Sequence, residues 1–299
     1  MKVLIIGSQG FIGQNLGSFF ARQTNCQLYK ADILNLNLPN YTFLNSQNAD
    51  FTALFFAQQY DICINCAGAA NVSASFANPQ IDFELNTKNV SSILENIRLF
   101  NPNCRFINLS SAAVYGNPTQ IPVSELADFQ PLSPYAFHKK MSELLCQEYA
   151  QCYNIKTCSL RIFSAYGQGL KKQLFWDIYQ KTIVNAKEIS LFGTGQESRD
   201  FIYIDDLCAV IWLIINKLEF NGQVVNVANG KEIFIKDAVA IFLELLDYQG
   251  LINFNGQNTL GYPLRWQADI SQLQKLHYQP VLELKTGLAN YVKWLKELN

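Results

Sequence analysis

The chain has 299 residues, enough to bury a large core as one α/β domain or as a domain with an appendage. Hydrophobic residues make up 49% and charged residues 16%, which describes a compact enzyme and excludes a charged tail or scaffold. The formal net charge is −1 and there is no basic run, so electrostatics give no case for nucleic acid or an anionic membrane as a partner.

Met1-Lys-Val-Leu-Ile-Ile-Gly7 is too short for the apolar core of a signal peptide, and its Val3–Ile6 run reads as a strand buried on both faces. Gly7-Ser-Gln-Gly10-Phe-Ile-Gly13 follows, then a helix over 11–21. A glycine-rich turn between a first strand and a helix lets backbone approach a pyrophosphate, and the helix N-terminus supplies N–H groups and partial positive charge. The spacing is GxxGxxG, not the usual GxGxxG, so a plain glycine turn is the competing reading. The second strand, 27–31, ends at Asp32, nineteen residues past Gly13. A carboxylate there can bind an adenosine ribose 2′-hydroxyl and repel a 2′-phosphate, which favours NAD; Lys30 and Arg22 leave NADP open.

Residues 33–48 read as loop with a short third strand at 41–44, followed by a helix over 49–59, a strand over 61–65 and a helix over 81–99. A fifth strand, 105–109, feeds Ser110-Ser-Ala-Ala-Val-Tyr-Gly116, and a proline-rich loop leads into a helix over 135–152. The sixth strand is 157–162; a helix over 171–186, a strand over 189–192, a polar loop over 193–200 and helices over 236–248 and 284–297 follow. The last two flank a Gly/Asn/Pro-rich stretch. Strands alternating with long helices imply an α/β fold, a doubly wound parallel sheet of Rossmann-like type, with a smaller α/β C-terminal region. The expected division is a dinucleotide-binding domain over 1–165, to which 201–230 returns, and a substrate-binding region over 166–200 and 231–299.

The eight cysteines are scattered through strands and helices, as reduced thiols of a cytoplasmic protein are. Cys63-Ile-Asn-Cys66 is formally a CxxC, but it lies in an apolar strand and not at a helix start, so it does not read as a redox pair. With only His138 and His277, and no clustered Cys/His spacing, no metal site is expected. The longest apolar stretch, Leu207–Ile215, cannot span a bilayer.

Tyr135 and Lys139 stand four apart at a helix start, which places a phenol and an ammonium on one face. A nearby cation favours the phenolate and moves the phenol pKa down, so the pair is a candidate proton-transfer device. The competing reading is a surface i,i+4 pair.

Taken in order, the glycine loop, Asn65-Cys-Ala-Gly68, Asn86-Thr-Lys-Asn-Val90, Ser110-Ser-Ala-Ala-Val-Tyr-Gly116 and Tyr135-xxx-Lys139 resemble the extended short-chain dehydrogenase/reductase family. Within it they resemble the NAD-dependent nucleotide-sugar epimerase/dehydratase group, over nearly the whole chain. Asn89 stands where an Asn-x-x-Gly-Thr segment carries glycine. The resemblance implies that Gly7, Gln9, Gly10, Phe11, Ile12, Gly13, Asp32, Ala67, Gly68, Asn86, Tyr135 and Lys139 bind NAD. It implies Tyr135 as acid/base at the sugar hydroxyl, Ser111 as hydrogen-bond partner of the same oxygen, and Lys139 as holder of the nicotinamide ribose. Strand alternation misread by one residue would exchange Ser111 for Ser110.

Ser198-Arg199-Asp200-Phe201 resembles the family's Arg-Asp-Phe/Tyr segment, whose arginine binds the nucleotide diphosphate; an ion pair of Arg199 with Asp200 or Asp205 competes. Arg265 is a second candidate clamp, and Ser164 replaces an asparagine that touches substrate in the family. Related 4,6-dehydratases carry an acid pair where this chain has Ala112 and Ala113, and related epimerase-reductases carry a cysteine in the same loop that is absent here. Neither elimination nor C3/C5 inversion is therefore expected. The resemblance implies NAD-dependent redox at C4 of a nucleotide-diphosphate sugar, with 4-epimerase ahead of 4-ketosugar reductase, and a homodimer. A non-catalytic dinucleotide-binding regulatory protein is the remote alternative, against which the Ser111/Tyr135/Lys139 set argues.

Overall fold

The computed structural model describes residues 1–45, 49–257 and 261–298. Positions 46–48 of the expected loop, 258–260 of the Gly/Asn/Pro-rich stretch and 299 of the C-terminal region lie outside the described residues.

The chain divides into two compact units, the first comprising Met1–Val114, Pro131–Ile162 and Ile215–Val225. Its elements begin with β1 (Lys2–Ile6), α1 (Phe11–Ala21), β2 (Gln27–Asp32), β3 (Tyr41–Phe43), α2 (Thr52–Ala57) and β4 (Ile62–Asn65). They continue with α3 (Val72–Ala77), α4 (Pro79–Phe83), a π-turn over Glu84–Lys88, α5 (Asn89–Phe100), β5 (Arg105–Ser111), α6 (Pro134–Tyr153) and β6 (Thr157–Ile162). With β11 (Gln223–Val227), introduced below in its place in the chain, the sheet order is β11-β6-β5-β4-β1-β2-β3. The ladders from β3 through β6 are parallel, for example Ile6 beside Ala31 and Ile6 beside Asn65. Order reverses between β1 and β4, and loops leaving the carboxyl ends of those two strands diverge into a crevice suited to a ligand.

The central strands β1 and β4 are mainly apolar because helices cover both faces: Val3, Leu4, Ile5 and Ile6 are fully buried, as are Ile62, Cys63 and Ile64. The helix expected over 81–99 is broken: α4 and α5 are joined by one π-wound turn, and α3 is an additional helix. Such turns admit an extra residue and re-aim side chains, and this one carries the buried Asn86 and Thr87.

The second unit comprises Tyr115–Gln130, Phe163–Ile214 and Asn226–Asn299. It contains β7 (Ser164–Tyr166), α7 (Gln173–Val184), β8 (Glu188–Leu191), β9 (Ser198–Arg199) and β10 (Phe201–Tyr203), and α8 (Ile204–Lys217) starts in it. After β11 come β12 (Ile233–Phe234), α9 (Ile235–Leu246), β13 (Leu251–Phe254), α10 (Ser271–Lys275) and α11 (Leu284–Lys296). Three small two-stranded sheets, β10-β7, β12-β9 and β13-β8, replace a continuous one. The packing divides the chain differently from the sequence expectation: residues 115–130 and 201–214 pack within the second unit, and only 215–225 return to the first. The reason is aromatic: Phe201 and Tyr203 of β10 pack edge-on against Tyr166, with ring centroids 6.0 and 5.4 Å apart. Among the described residues, no helix is long and apolar enough to cross a membrane.

Candidate active site

The glycine loop is shaped by contacts that a side chain would block. Gly7 has φ +77°, and a Cβ there would lie 2.4 Å from the Ala67 nitrogen; a Cβ on Gly13 would lie 2.2 Å from the Gly7 oxygen. The Gly7 and Ser8 N–H groups donate to Ala31 O at the end of β2, while Gln9 N–H donates to Asp32 Oδ2 at 2.7 Å. Gly10 caps α1 without a side-chain bond, and the first helical bond is Gln14 N–H to Gly10 O. The N–H groups of Phe11, Ile12 and Gly13 are thus left for an anion at the positive end of the helix.

Asp32 is buried, and its Oδ1 accepts the Ile33 and Leu34 N–H groups. The carboxylate therefore stiffens the loop as well as facing the crevice. Lys30 packs its chain end over Gly17 of α1. Across the crevice, Gly68 has φ +141°, and a Cβ on it would strike Asn86 Oδ1 at 2.6 Å and approach Lys139 Nζ at 3.5 Å. Both polar atoms of the Asn86 amide are buried without a hydrogen-bond partner. A free loop end, a cradle closed to Cβ atoms and an orphaned amide are the features expected of a dinucleotide site, and these residues fit one.

Tyr135 and Lys139 are set by the start of α6. Ser133 is its N-cap, accepting the Ala136 N–H at 3.3 Å, and Pro134 occupies the first helical position. Tyr135, Lys139, Ser142, Glu143, Cys146 and Tyr149 form the buried face. The pair is therefore buried and no surface ion pair. Lys139 Nζ donates to Leu109 O at 2.8 Å and lies 5.8 Å from the centre of the Tyr135 ring.

The expected fall in the Tyr135 pKa is not what this arrangement produces. Burial pushes the phenol up to about 12, Asp82 pushes the same way, and only hydrogen bonding from Ser111 pulls it down. Lys139 is itself pulled down to about 8 by burial, opposed by Asp82, Cys66 and Glu143. The ammonium is spent on the Leu109 carbonyl, so desolvation outweighs it at the phenol.

The two serines at the end of β5 have separate tasks because successive strand residues face opposite ways. Ser110 Oγ donates to Glu143 Oε1 at 2.6 Å inside a buried network that includes the bidentate Arg161. Ser111 is half-buried, accepts the Ala113 N–H at 3.1 Å, and is the serine that bears on Tyr135. Sequence reasoning missed the Glu143–Arg161 pair; a charged residue recurring on the buried face of α6 was the available signal.

In the second unit, β9 pairs with β12 and brings the two candidate arginines to one cluster. Glu232 accepts Ser198 Oγ at 2.6 Å and takes Arg265 bidentately at 2.8 Å, while Arg199 stacks 5.3 Å from the Trp266 ring centre. Arg265 is thus partnered and half-exposed. Arg199 donates to Ser198 O, and among the described residues no carboxylate pairs with it. Burial pulls its pKa down to about 10, so it stays cationic at neutral pH. Asp200, its sequence competitor, instead accepts the backbone N–H groups of Asn229 and Ala268. Ser164 sits in the β7–β10 ladder beside Phe201, and neither arginine bonds to it.

Comparison with known proteins bears on the family and the fold. The sequence model of the NAD dependent epimerase/dehydratase family matches residues 3–228. An uncharacterized UDP-glucose epimerase of Bacillus subtilis, YtcB, is 30% identical, covering 100% of this chain and 99% of its own. A UDP-glucuronate 4-epimerase of Thermodesulfobacterium geofontis is 28% identical over 98% of this chain and 96% of its own. The crystal structure of a Bacillus cereus UDP-glucuronic acid 4-epimerase, in complex with UDP-glucuronic acid and NAD, superposes with a TM-score of 0.90. Its identity is 26%, with 100% of both chains covered.

Proposed function

The chain belongs to the NAD-dependent epimerase/dehydratase family, and from that premise we propose that it is a nucleotide-sugar 4-epimerase, with UDP-hexoses and UDP-hexuronates its first candidate substrates. The single observation that carries the reading is the set of buried Tyr135 and Lys139 with half-buried Ser111 beside a cradle that fits NAD.

Bound NAD supplies a reversible hydride acceptor for the sugar C4–H. Tyr135 Oη takes the C4 hydroxyl proton as that hydrogen leaves, and returns it after the 4-keto sugar has turned its other face; atoms and electrons balance over the cycle. Ser111 Oγ hydrogen-bonds the reacting oxygen and favours the phenolate. Lys139 Nζ holds the nicotinamide ribose, and Asn86 and Gly68 line the same wall. The Phe11, Ile12 and Gly13 N–H groups hold the pyrophosphate, and Asp32 takes the adenosine ribose. Arg199 binds the sugar diphosphate, as a half-buried guanidinium without a carboxylate partner can; Arg265 assists from its bridge with Glu232, and Ser164 contacts the sugar. Ala112 and Ala113 transfer no proton, so the keto sugar is not dehydrated.

α6 exposes Phe137, Met141 and Leu144 at 48%, 41% and 50%, spaced as one helical stripe. A second copy of this chain, packing the same stripe in a homodimer, would cover it. The eight free thiols suit the cytoplasm.

The test is incubation of the purified protein with a panel of nucleotide sugars, products being resolved by NMR and bound cofactor by mass spectrometry. Interconversion of C4 epimers without net consumption of nicotinamide is expected. A requirement for added reduced nicotinamide, with its stoichiometric oxidation, would make the protein a 4-ketosugar reductase and overturn the reading.

A further inference from the structure

Asp82 and His138 form a buried pair beside the candidate active site for which the proposed reaction has no stated use. Asp82, on α4, is 3% exposed, and its Oδ1 lies 2.6 Å from Nδ1 of His138 on α6. Its other oxygen, Oδ2, is buried and has no hydrogen-bond partner. A carboxylate has no hydrogen to donate, so the one shared across the 2.6 Å contact belongs to Nδ1. The ring and the backbone of His138 are each held by a neighbour. Phe83 packs edge-on to it at 5.5 Å, and Thr87 Oγ1 of the π-turn donates to His138 O at 3.0 Å.

A half-satisfied buried carboxylate is costly unless a cation answers it. Lys139, the residue after His138, is a cation on which the Asp82 charge bears, with no direct ion pair between them among the described residues. The groups facing Lys139 come from every element around it: Asp82 of α4, Cys66 after β4, the Leu109 carbonyl of β5, the Asn86 amide of the π-turn, and Tyr135 and Glu143 of α6 itself. Among the charges, Glu143 is engaged by Arg161, Lys140 and Ser110. Asp82 is the strongest influence opposing the effect of burial on Lys139. Tyr135 is faced by Ser111 and by the same Asp82.

We infer that Asp82, oriented by His138, is the positioning counter-charge that holds Lys139 as an ammonium in the active site, although neither residue touches substrate. The inference rests on the reading of Tyr135 and Lys139 given under the proposed function. The imidazole matters because its N–H supplies the one side-chain donor to the buried carboxylate and fixes where that carboxylate sits.

The test compares Asp82→Asn, His138→Phe and His138→Gln with the wild type. NAD affinity is measured by calorimetry from pH 6 to 10, alongside the pH profile of turnover and the melting temperature. Loss of the Asp82 charge lowers the Lys139 and Tyr135 pKa values together, so both readouts shift towards acid. In Asp82→Asn the alkaline fall in NAD affinity moves down by about one pH unit, with affinity at pH 8 weakened roughly five-fold and that at pH 6 near wild type. His138→Phe strips Asp82 of its donor and moves the fall the same way. His138→Gln restores an N–H donor and leaves the fall in place.

A purely structural pin between α4 and α6 would lower the melting temperature without moving either pH readout, and that result overturns the inference. If Asp82→Asn does not fold, the contrast between His138→Phe and His138→Gln decides in the same terms. A wild type that binds NAD with the expected pH dependence but epimerises no nucleotide sugar overturns the proposed function and leaves the counter-charge standing. The two failures are thus distinguishable.

Discussion

A phenol pushed up to about 12 cannot act as a base near neutral pH unless something at the site favours the phenolate. That position already includes the Ser111 hydrogen bond, so under the proposed function the positive charge of oxidised nicotinamide is what would favour the phenolate further. Tyr135→Phe should lower turnover by roughly a thousandfold while NAD affinity changes little, measured by steady-state kinetics and calorimetry on the same preparation. Lys139 sets a second limit. Its pKa, pulled down to about 8 by burial, means that it is charged below that pH and neutral above it. NAD affinity should therefore fall as pH rises through about 8, and Lys139→Met should show the weak affinity at every pH. Gly13→Ala offers a third check on this scale. Its Cβ would meet backbone at 2.2 Å, which no side-chain rotation relieves, so the variant should fail to retain NAD.

At the scale of elements, α6 is the part on which the chemistry depends. Its N-cap fixes where Tyr135 begins, and Ser133→Ala should cost about 1 kcal/mol of stability by chemical denaturation. Its interior is tied to the sheet by Glu143, buried at 1% exposure and bound bidentately by Arg161. Burial pushes the Glu143 pKa up, but Arg161, Ser110 and Lys140 outweigh it and hold the carboxyl below its ordinary 4.5. A carboxyl held down when folded stabilises the protein above the unfolded pKa, and that stability is lost as pH falls through the folded value. Arg161→Leu removes the bidentate partner of a buried carboxylate, leaving it only Ser110 and Lys140, and should cost roughly 3 kcal/mol. The double variant Glu143→Leu/Arg161→Leu should recover much of that loss in a double-mutant cycle. A loss in the double variant equal to the sum of the singles would exclude coupling between them.

At the scale of the whole molecule, the exposed Phe137–Met141–Leu144 stripe of α6 is the surface that the proposed homodimer would cover. Phe137→Glu combined with Leu144→Glu should convert a dimer to a monomer in light scattering while NAD stays bound. A variant that keeps the wild-type mass would show that the stripe is not the dimer interface. Such a separation is expected because the stripe and the buried catalytic face lie on opposite sides of one helix.

Much of this protein was determined by local pattern. The apolar run at 3–6, the glycine turn after it and the alternation of strands with helices specify a doubly wound sheet, because period and turn chemistry are properties of neighbouring residues. The order of the motifs likewise pointed to the family. The direction of the Tyr135 pKa was not legible: four-residue spacing shows that a lysine is near, but desolvation depends on what encloses the pair, and that wall comes from α4, the π-turn and β5. For the same reason the sequence could not show that Ser110 is engaged by Glu143, or that Asp200 faces backbone and leaves Arg199 without a carboxylate. The partnership of Asp82 with His138 spans 56 residues and exists only because α4 packs on α6. Spacing decides which groups can share a face; tertiary packing alone decides how dry that face is and which charges answer one another.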